Sequence, residues 1–529
     1  MGFDIENGFS SVIHLPGSTW LAVKRFYKLK IAIRVDGNAE TGVGHVLRCI
    51  TLADKLISYK IRCIFFVRNI SKNLFKILDE KFEVILLDRI DNKFAATDEY
   101  SRWLGVNQKF DAEEFIALAQ TRKFSGVLVD HYGIGYEWEQ AVQNNFRFVL
   151  VLDDLANRKH ACNLLVDQSI GRKASCYSSL VPQTCTLLTG PKYALLRDEF
   201  FFNPRGAKKR YDILINFGGA DKDNYTEHVI NMLAMCENIY QYKIKIIIGS
   251  DYPFTFGLKR RVDEIGLQFQ FVENPNNVAT EISECRIAIG AGGVSLLERS
   301  ALGVPSIVYA IADNQKHICA EYERLGLGAA ISKGQNEEHI QLASMVDAML
   351  DPQMLLNRSH LNRIFVGTRG TDRVIARLLK EFELLTQVEA TIEDAKFVYE
   401  CQYEQFNTSL HINSSFTTVE DHMNWFASNL VRKDCIHIIF KCGLEKLGYV
   451  RLDRENTYHD VSIYVHSKYR SRGFAEIMLT KLLDGIGTQR LRAAVHSKNE
   501  GLLRVFLNCS FYIMSKKRNF VRLEYRRIS

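Results

Sequence analysis

The stretch Arg34–Arg48, R-V-D-G-N-A-E-T-G-V-G-H-V-L-R, decides the fold. Ahead of it, Ile31-Ala32-Ile33 is a short apolar run of the kind that forms a buried strand. Behind it, Val46-Leu47 and Cys49-Ile50-Thr51-Leu52-Ala53 fall at helical spacing. Between the two stand Gly42-Val43-Gly44 and then His45. A strand, a glycine turn and a helix in that order put backbone N–H groups and a positive helix end at the strand's carboxyl edge. Anions such as a diphosphate bind there. Gly44 belongs to that turn, and His45 opens the helix as an imidazole able to accept a proton near pH 7. The G-x-G-H spacing lacks the third glycine of a dinucleotide fingerprint, so alone it leaves open a helix-starting histidine with no chemistry.

Working outward, the chain keeps alternating strand and helix from Lys30 to about Phe202. Strands are predicted at Ile61–Val67, Phe82–Leu87, Gly126–Asp130 and Phe146–Leu152, each followed by polar, helix-like sequence. A second alternating block starts at Tyr211, after the polar, basic link Asn203–Arg210. Its predicted strands are Asp212–Phe217, Ile244–Gly249, Phe269–Val272, Ile287–Ile289 and Ser306–Tyr309. The class is α/β: two Rossmann-like parallel sheets facing each other across a cleft, the GT-B architecture, with a nucleotide sugar at the strands' carboxyl ends. The expected boundaries are an N-terminal extension over 1–29, sheet domains over 30–202 and 211–384, and a C-terminal domain over 388–529. A length of 529 residues suits about three compact units.

Two glycine turns of the second block face the same cleft. Gly218 and Gly219 follow the strand ending at Phe217, and Gly292 and Gly293 open a helix after the strand ending near Ile289. Amides there, with Ser295, can cradle phosphate oxygens without Cβ obstruction. Glu298 comes one turn after Val294, where a carboxylate can accept both ribose hydroxyls. Asn314 and Gln315 follow in the run Asp313-Asn314-Gln315.

The Arg34–Arg48 segment resembles the signature R-x-D-x-x-x-x-x-G-x-G-H-x-x-R of the UDP-sugar hydrolases of pseudaminic acid biosynthesis. These are relatives of spore-coat polysaccharide proteins and, more distantly, of MurG-type glycosyltransferases. Val129-Asp130-His131-Tyr132-Gly133, Asp153-Asp154-Leu155-Ala156-Asn157-Arg158 and Gly190-Pro191-Lys192-Tyr193-Ala194-Leu195-Leu196-Arg197 match in the same order. The resemblance implies that His45 is the catalytic base. It also implies that Tyr132 contacts substrate and that Asp36, Arg34 and Arg48 orient the base or the sugar. Arg34 is equally readable as a structural ion-pair partner. The implied substrate is UDP-2,4-diacetamido-2,4,6-trideoxy-β-L-altropyranose. Phe217–Asp221 resembles the family's G-G-x-D turn, and Gly290–Glu298 with Asp313-Asn314-Gln315 resembles the nucleotide-sugar pattern of MurG-like proteins.

After Leu385 the pattern changes. Phe416–Phe426 has a Thr cap and carboxylates at its start, and resembles a helix of N-acetyltransferases that modify amino sugars. Three β-rich segments follow at His437–Phe440, Gly448–Leu452 and Val461–Val465. Directly after Val465 comes Arg470-Ser471-Arg472-Gly473-Phe474-Ala475, which resembles the R/Q-x-x-G-x-G/A loop of GNAT-type acetyltransferases. The resemblance implies an α+β acetyltransferase domain that holds the pyrophosphate of acetyl-CoA on that loop, with Asn499 further along. One departure stands out. Seven residues past Asn499, where the superfamily commonly has an acidic tyrosine, is Phe506, and Tyr512 is the nearby candidate acid.

Net charge is +7, and the basic residues are scattered rather than gathered on one element, which argues against a nucleic-acid partner. The 12 cysteines form no C-x-x-C pair and no zinc spacing, and His160 with Cys162 lacks further ligands, so no metal is expected. Reduced thiols, no apolar stretch long enough to span a membrane and no secretion signal lead us to expect a cytoplasmic enzyme with UDP-amino-sugar substrates. A glycosyltransferase using a hydroxyl acceptor, a non-catalytic nucleotide-sugar sensor and a hydrolase with a degenerate acetyltransferase domain are the alternatives.

Overall fold

The computed structural model describes residues 29–38, 40–88, 99–202, 208–406, 418–455, 457–486, 490–517 and 519–525. The expected N-terminal extension lies outside them except for Leu29, as do most of the 203–210 link and the start of the Phe416–Phe426 segment. The described residues fall into two compact units, one spanning Leu29–Val374 and the other running from Ile375 to the C-terminus.

The larger unit holds two parallel sheets. The first has seven strands: β1 (Lys30–Val35), β2 (Arg62–Val67), β3 (Glu83–Leu86), β4 (Gly126–Asp130), β5 (Val149–Leu152), β6 (Leu164–Asp167) and β7 (Thr186–Thr189). Their order is β3-β2-β1-β4-β5-β6-β7, all parallel. The second has β8 (Tyr211–Asn216), β9 (Ile244–Ile248), β10 (Phe269–Glu273), β11 (Cys285–Ala291), β12 (Ser306–Tyr309) and β13 (Ala329–Ile331). Their order is β10-β9-β8-β11-β12-β13, again all parallel. Central strands such as β1 and β4 are buried almost without alternation because helices cover both faces. Phe66, Phe115 and Trp138 build the core on one face of the first sheet, and Ile213, Ile246 and Tyr309 build that of the second. A further cluster joins the halves, with Ile170, Leu196 and Phe200 against Leu214, Leu297 and Val308.

The strand expectations hold within a few residues, except that Phe146 and Phe148 precede β5 as buried loop residues. The short strands β6, β7 and β13 were not foreseen.

The smaller unit carries a mixed sheet of β14 (Leu385–Glu389), β15 (Cys435–Cys442), β16 (Glu445–Glu455), β17 (Tyr458–Val465), β18 (Leu491–His496), β19 (Tyr512–Lys517) and β20 (Phe520–Tyr525). The order is β14-β15-β16-β17-β18-β20-β19. Neighbours are antiparallel except β17 and β18, which run parallel. The domain start expected at 388 falls inside β14, whose ladder with β15 begins at Leu385↔Cys442, so the sheet takes in residues from 385.

Candidate active site

In an open parallel sheet, ligands bind where the strand order reverses, because adjacent loops there diverge and leave a crevice. The first sheet reverses between β1 and β4, and the second between β8 and β11. His45 and Asp130 belong to the first of these points. The Gly218-Gly219 and Gly292-Gly293 turns belong to the second. All except Asp130, which is buried beneath His45, line one cleft of about 1030 Å³.

The helix Gly44–Ser58 follows the glycine turn after β1 and carries His45 and Arg48 one turn apart. Their side chains meet on Asp130, the last residue of β4. Asp130 Oδ1 lies 2.6 Å from His45 Nδ1 and accepts from Arg48 Nη2 at 2.6 Å, and Oδ2 accepts from Arg48 Nε at 2.6 Å. Burial alone would raise the Asp130 carboxyl, but Arg48 and His45 overcome that and hold it well below the usual carboxylate range. An ionised Asp130 accepts a hydrogen bond from Nδ1–H and leaves Nε2 as the proton-accepting atom of the ring. Arg48 also donates from Nη1 to Asp154 at 2.9 Å, and the Tyr132 hydroxyl donates to the other oxygen of Asp154. Asn314, from the second half, donates to the Tyr132 hydroxyl at 3.2 Å. A continuous polar chain therefore runs Asn314–Tyr132–Asp154–Arg48–Asp130–His45. Asp130 and Asp154 stand in motifs visible in the sequence, but no role was read for them. An acidic residue ending a central strand was the usable signal.

Arg34 and Asp36, expected beside the base, are elsewhere. Both are fully buried in a separate network. Arg34 donates to Asp36 at 2.7 and 3.0 Å and to Asp111 at 2.8 and 3.1 Å, while Asp36 also accepts from the Arg68 amide at 2.7 Å. Period-two alternation in β1 explains Arg34: it shares a face with Ala32, away from Ile33 and Val35. The pair ties β1 to its neighbouring helix and loop, and neither residue lines the cleft.

Across the cleft, Gly218 has φ +96°, a left-handed conformation that favours glycine, and Gly219 lies against the Val43 side chain of the opposing turn. Gln315 Oε1 accepts from the Gly292 amide at 3.1 Å and the Ile311 amide at 3.3 Å, so Gln315 shapes the glycine turn from behind. Gly44, Gly293, Ser295, Glu298 and Asn314 all line the cleft, and Ser295 Oγ accepts from Arg299 at 3.2 Å. Burial raises the Glu298 carboxyl despite Arg197, whose Nη2 donates to it at 3.3 Å. Arg197 ends the Gly190–Arg197 motif and brings a cation from the first half to the expected ribose end. It was not anticipated. Tyr100 and Trp103 also line the cleft, from a stretch without any motif.

In the smaller unit, the Arg470–Ala475 loop links β17 to the helix Phe474–Ile486. Gly473 sits at φ +85°, immediately before that helix. Arg470 Nε donates to the Val465 carbonyl at 3.0 Å and so closes the loop on the strand end, while Phe474 is buried against Tyr469. Arg472 lies 5.9 Å from the Tyr469 ring centroid. Asn499 caps the helix Glu500–Asn508, its Oδ1 accepting from the Leu502 amide at 3.1 Å. Among the described residues, β17 and β18 pair only at His459↔Leu491 and Asp460↔Arg492, so the strands part toward the loop. A left-handed turn, a helix start and a parted pair of strands fit a pyrophosphate and an extended thioester arm. Tyr512 does not belong to this place. It lies on the edge strand β19, separated from β18 by β20, and its hydroxyl donates to Glu524 at 2.7 Å beside Arg490 and Arg492. Phe506 is buried against Phe511.

Residues 398–511 match the model of the Acetyltransferase (GNAT) family. The UDP-2,4-diacetamido-2,4,6-trideoxy-beta-L-altropyranose hydrolase of Campylobacter jejuni is 26% identical over 292 residues, 55% of this chain and 92% of that protein. The spore coat polysaccharide biosynthesis protein SpsG of Bacillus subtilis is 24% identical over 369 residues, 67% of this chain and 99% of that protein. An uncharacterized protein of Methanocaldococcus jannaschii is 22% identical over 522 residues, 93% of this chain and 98% of its own length, so it spans both units. Among solved structures, Phytolacca americana UGT2 complexed with UDP-2fluoro-glucose and pterostilbene covers 67% of this chain and all of that one at 12% identity, with a TM-score of 0.50. The chain is a homologue of the hydrolase and of SpsG. Its larger unit has the GT-B fold, and it is joined to a GNAT segment.

Proposed function

We propose that this homologue of the altropyranose hydrolase is itself a UDP-sugar hydrolase, acting on UDP-2,4-diacetamido-2,4,6-trideoxy-β-L-altropyranose. We further propose that its C-terminal unit uses acetyl-CoA to N-acetylate the 4-amino precursor of that sugar. The observation that carries the hydrolytic reading is the Asp130–His45 pair at one switch point, facing the glycine turns of the other across a single cleft. His45 Nε2 takes a proton from water, whose oxygen bonds to the anomeric carbon. The bond from that carbon to the phosphate oxygen breaks, and UDP leaves with the electron pair. Amides at Gly218-Gly219 and of Gly293 hold the diphosphate, Glu298 takes the ribose hydroxyls, and fixed donors do not have to reorganise as charge develops. In the C-terminal unit, the Gly473 turn and the following helix start hold the pyrophosphate of acetyl-CoA, whose thioester supplies the acetyl group.

The test is release of UDP from the diacetamido sugar nucleotide with no acceptor present, followed by mass spectrometry of the sugar. His45→Asn should keep UDP binding and lose roughly 10²–10⁴-fold in rate. Turnover only with an added hydroxyl acceptor would make the protein a glycosyltransferase, and tight UDP binding without turnover would make it a sensor.

A further inference from the structure

Two thiols of the larger unit have no part in the chemistry above, and the fold brings them together. Cys162 lies in the loop between β5 and β6, two residues before β6, and Cys185 directly precedes β7. The β6–β7 ladder opens at Leu164↔Thr186, and the Thr186 amide donates to the Asn163 carbonyl at 2.9 Å, so the two segments enter the sheet side by side. Their Sγ atoms stand 3.6 Å apart. Neighbouring strands lie about 4.7–4.9 Å apart, inside the backbone span of roughly 4.4–6.8 Å that a disulfide bridges. The backbone is held there. The His160 amide donates to the Leu180 carbonyl at 2.7 Å, the Ala161 amide to the Glu139 carboxylate at 2.6 Å, and the Cys185 amide to the Pro182 carbonyl at 2.9 Å.

The two thiols are not equivalent. Cys162 is buried, whereas Cys185 is half-buried and follows the exposed run Pro182-Gln183-Thr184, so a small reagent reaches Cys185 first. The hydrogen bond shared with Cys162 holds the Cys185 thiol below its ordinary value against the effect of burial, and the charged His160 imidazole, itself held by Glu139 and Asp153, adds to this. The same bond, together with burial, holds the Cys162 thiol well above its ordinary value. Because the thiolate is the nucleophile, Cys185 is placed to attack and Cys162 to resolve.

We infer that Cys162 and Cys185 form a reversible dithiol–disulfide site, closed by exchange with a low-molecular-weight disulfide and reopened by excess thiol, and that the closed form clamps β6 to β7. In the first step the Cys185 thiolate bonds to one sulfur of the reagent, the reagent's S–S bond breaks, and one thiolate leaves with the electron pair. The Cys162 thiol then gives up its proton, its sulfur bonds to Cys185 Sγ, and the second half of the reagent leaves as a thiol. The protein's two thiols lose two electrons and two protons, and the reagent is reduced to two thiols. The new bond lies at the amino ends of β6 and β7, while Gln168 and Ser169, past the carboxyl end of β6, line the cleft. It joins residues 23 apart in sequence, and taking that loop's freedom from the unfolded chain stabilises the fold.

The experiment incubates the native full-length protein with oxidised glutathione, caps the remaining thiols, maps the peptides by mass spectrometry and records thermal unfolding before and after. The wild type should give a Cys162–Cys185 cross-linked peptide that dithiothreitol removes, while the exposed Cys176 carries only a glutathione adduct. The thermal midpoint of the cross-linked protein should rise by roughly 3–8 °C. Cys162→Ser should leave Cys185 loaded with glutathione, and Cys185→Ser should leave Cys162 unmodified. Absence of the cross-link under conditions that load Cys176 would overturn the site, and the wild-type map decides this even if a variant fails to fold. A cross-link that leaves the midpoint unchanged or lowers it would overturn the clamp, and a glutathione adduct on Cys162 in Cys185→Ser would overturn the order of attack. Every readout is independent of turnover, so failure here leaves the hydrolase reading untouched.

Discussion

Replacing Asp130 by Asn is the sharpest perturbation of the base assembly, because one atom changes and the volume does not. Asp130 accepts three short charge-assisted bonds, all at 2.6 Å, one with His45 and two from Arg48. An amide at this position has one acceptor oxygen and one donor nitrogen facing two partners that both donate. If the oxygen turns to Arg48, the NH₂ faces His45 Nδ1 and forces the proton onto Nε2, the atom that must accept from water. If it takes the place of Oδ1, it still accepts from His45 Nδ1 and Arg48 Nη2, and only Arg48 Nε meets a donor. In either arrangement the neutral amide no longer balances the imidazolium that forms as Nε2 takes the proton, and the rate should fall by roughly 10²–10⁴-fold, the usual worth of a general base. Stability should fall as well, by about 3–5 kcal/mol, the cost of breaking a buried ion pair from one side. UDP release should be followed by a coupled assay, with UDP affinity by calorimetry and folding by chemical denaturation. The expected signature is a large drop in kcat with UDP binding retained and a lower unfolding midpoint. A folded variant with near-normal kcat would refute the orienting role of Asp130, and loss of UDP binding in step with kcat would show that the residue only supports the cleft.

Glu298→Ala should weaken UDP by about 1–3 kcal/mol through loss of a charged partner for the ribose hydroxyls, and titration calorimetry reads this directly. Gly473→Glu should abolish acetyl-CoA binding, since φ +85° disfavours a side chain there and the added carboxylate repels the pyrophosphate; retained affinity would place the cofactor elsewhere. His160 is buried, which lowers its pKa, but its contacts with Glu139 and Asp153 prevail and push it up to about 9. Being raised, this group stabilises the fold fully below about pH 6.5, and the contribution is lost as pH rises through about 9. Chemical denaturation should therefore show the wild type losing about 3 kcal/mol between those limits, while His160→Gln is less stable at pH 6 and flatter across the range.

Much of this organisation was legible because parallel strands buried on both faces leave unbroken apolar runs, and glycine turns interrupt them only where a ligand or a second backbone comes close. The turn before His45 and the Gly292-Gly293 turn were found that way. Asp36 misled, and Arg34 took the second of its two readings, the structural ion pair, because a motif preserves residues for structural and chemical reasons alike. Only the side-chain direction along β1 separates the two, and that sends Arg34 to Asp111. Tyr512 misled for a related reason: nearness in sequence to Phe506 says nothing about the strand inserted between β18 and β19. Arg197, Tyr100 and Trp103 are brought to the cleft by long-range packing, which no local pattern reports.

The bond from Asn314 to Tyr132 has a consequence for timing. The residues that orient the base all come from the first sheet, yet the outermost link of their chain belongs to the second. Any hinge motion that opens the cleft to release UDP must break that link first. Tyr132, Asp154 and Arg48 then lose an outside restraint together, and His45 is less firmly aimed while the cleft is open. Base alignment and cleft closure are thereby wired in series. For the same reason the first half alone, though it contains His45, Arg48 and Asp130, should be a poorer catalyst than its own residues suggest.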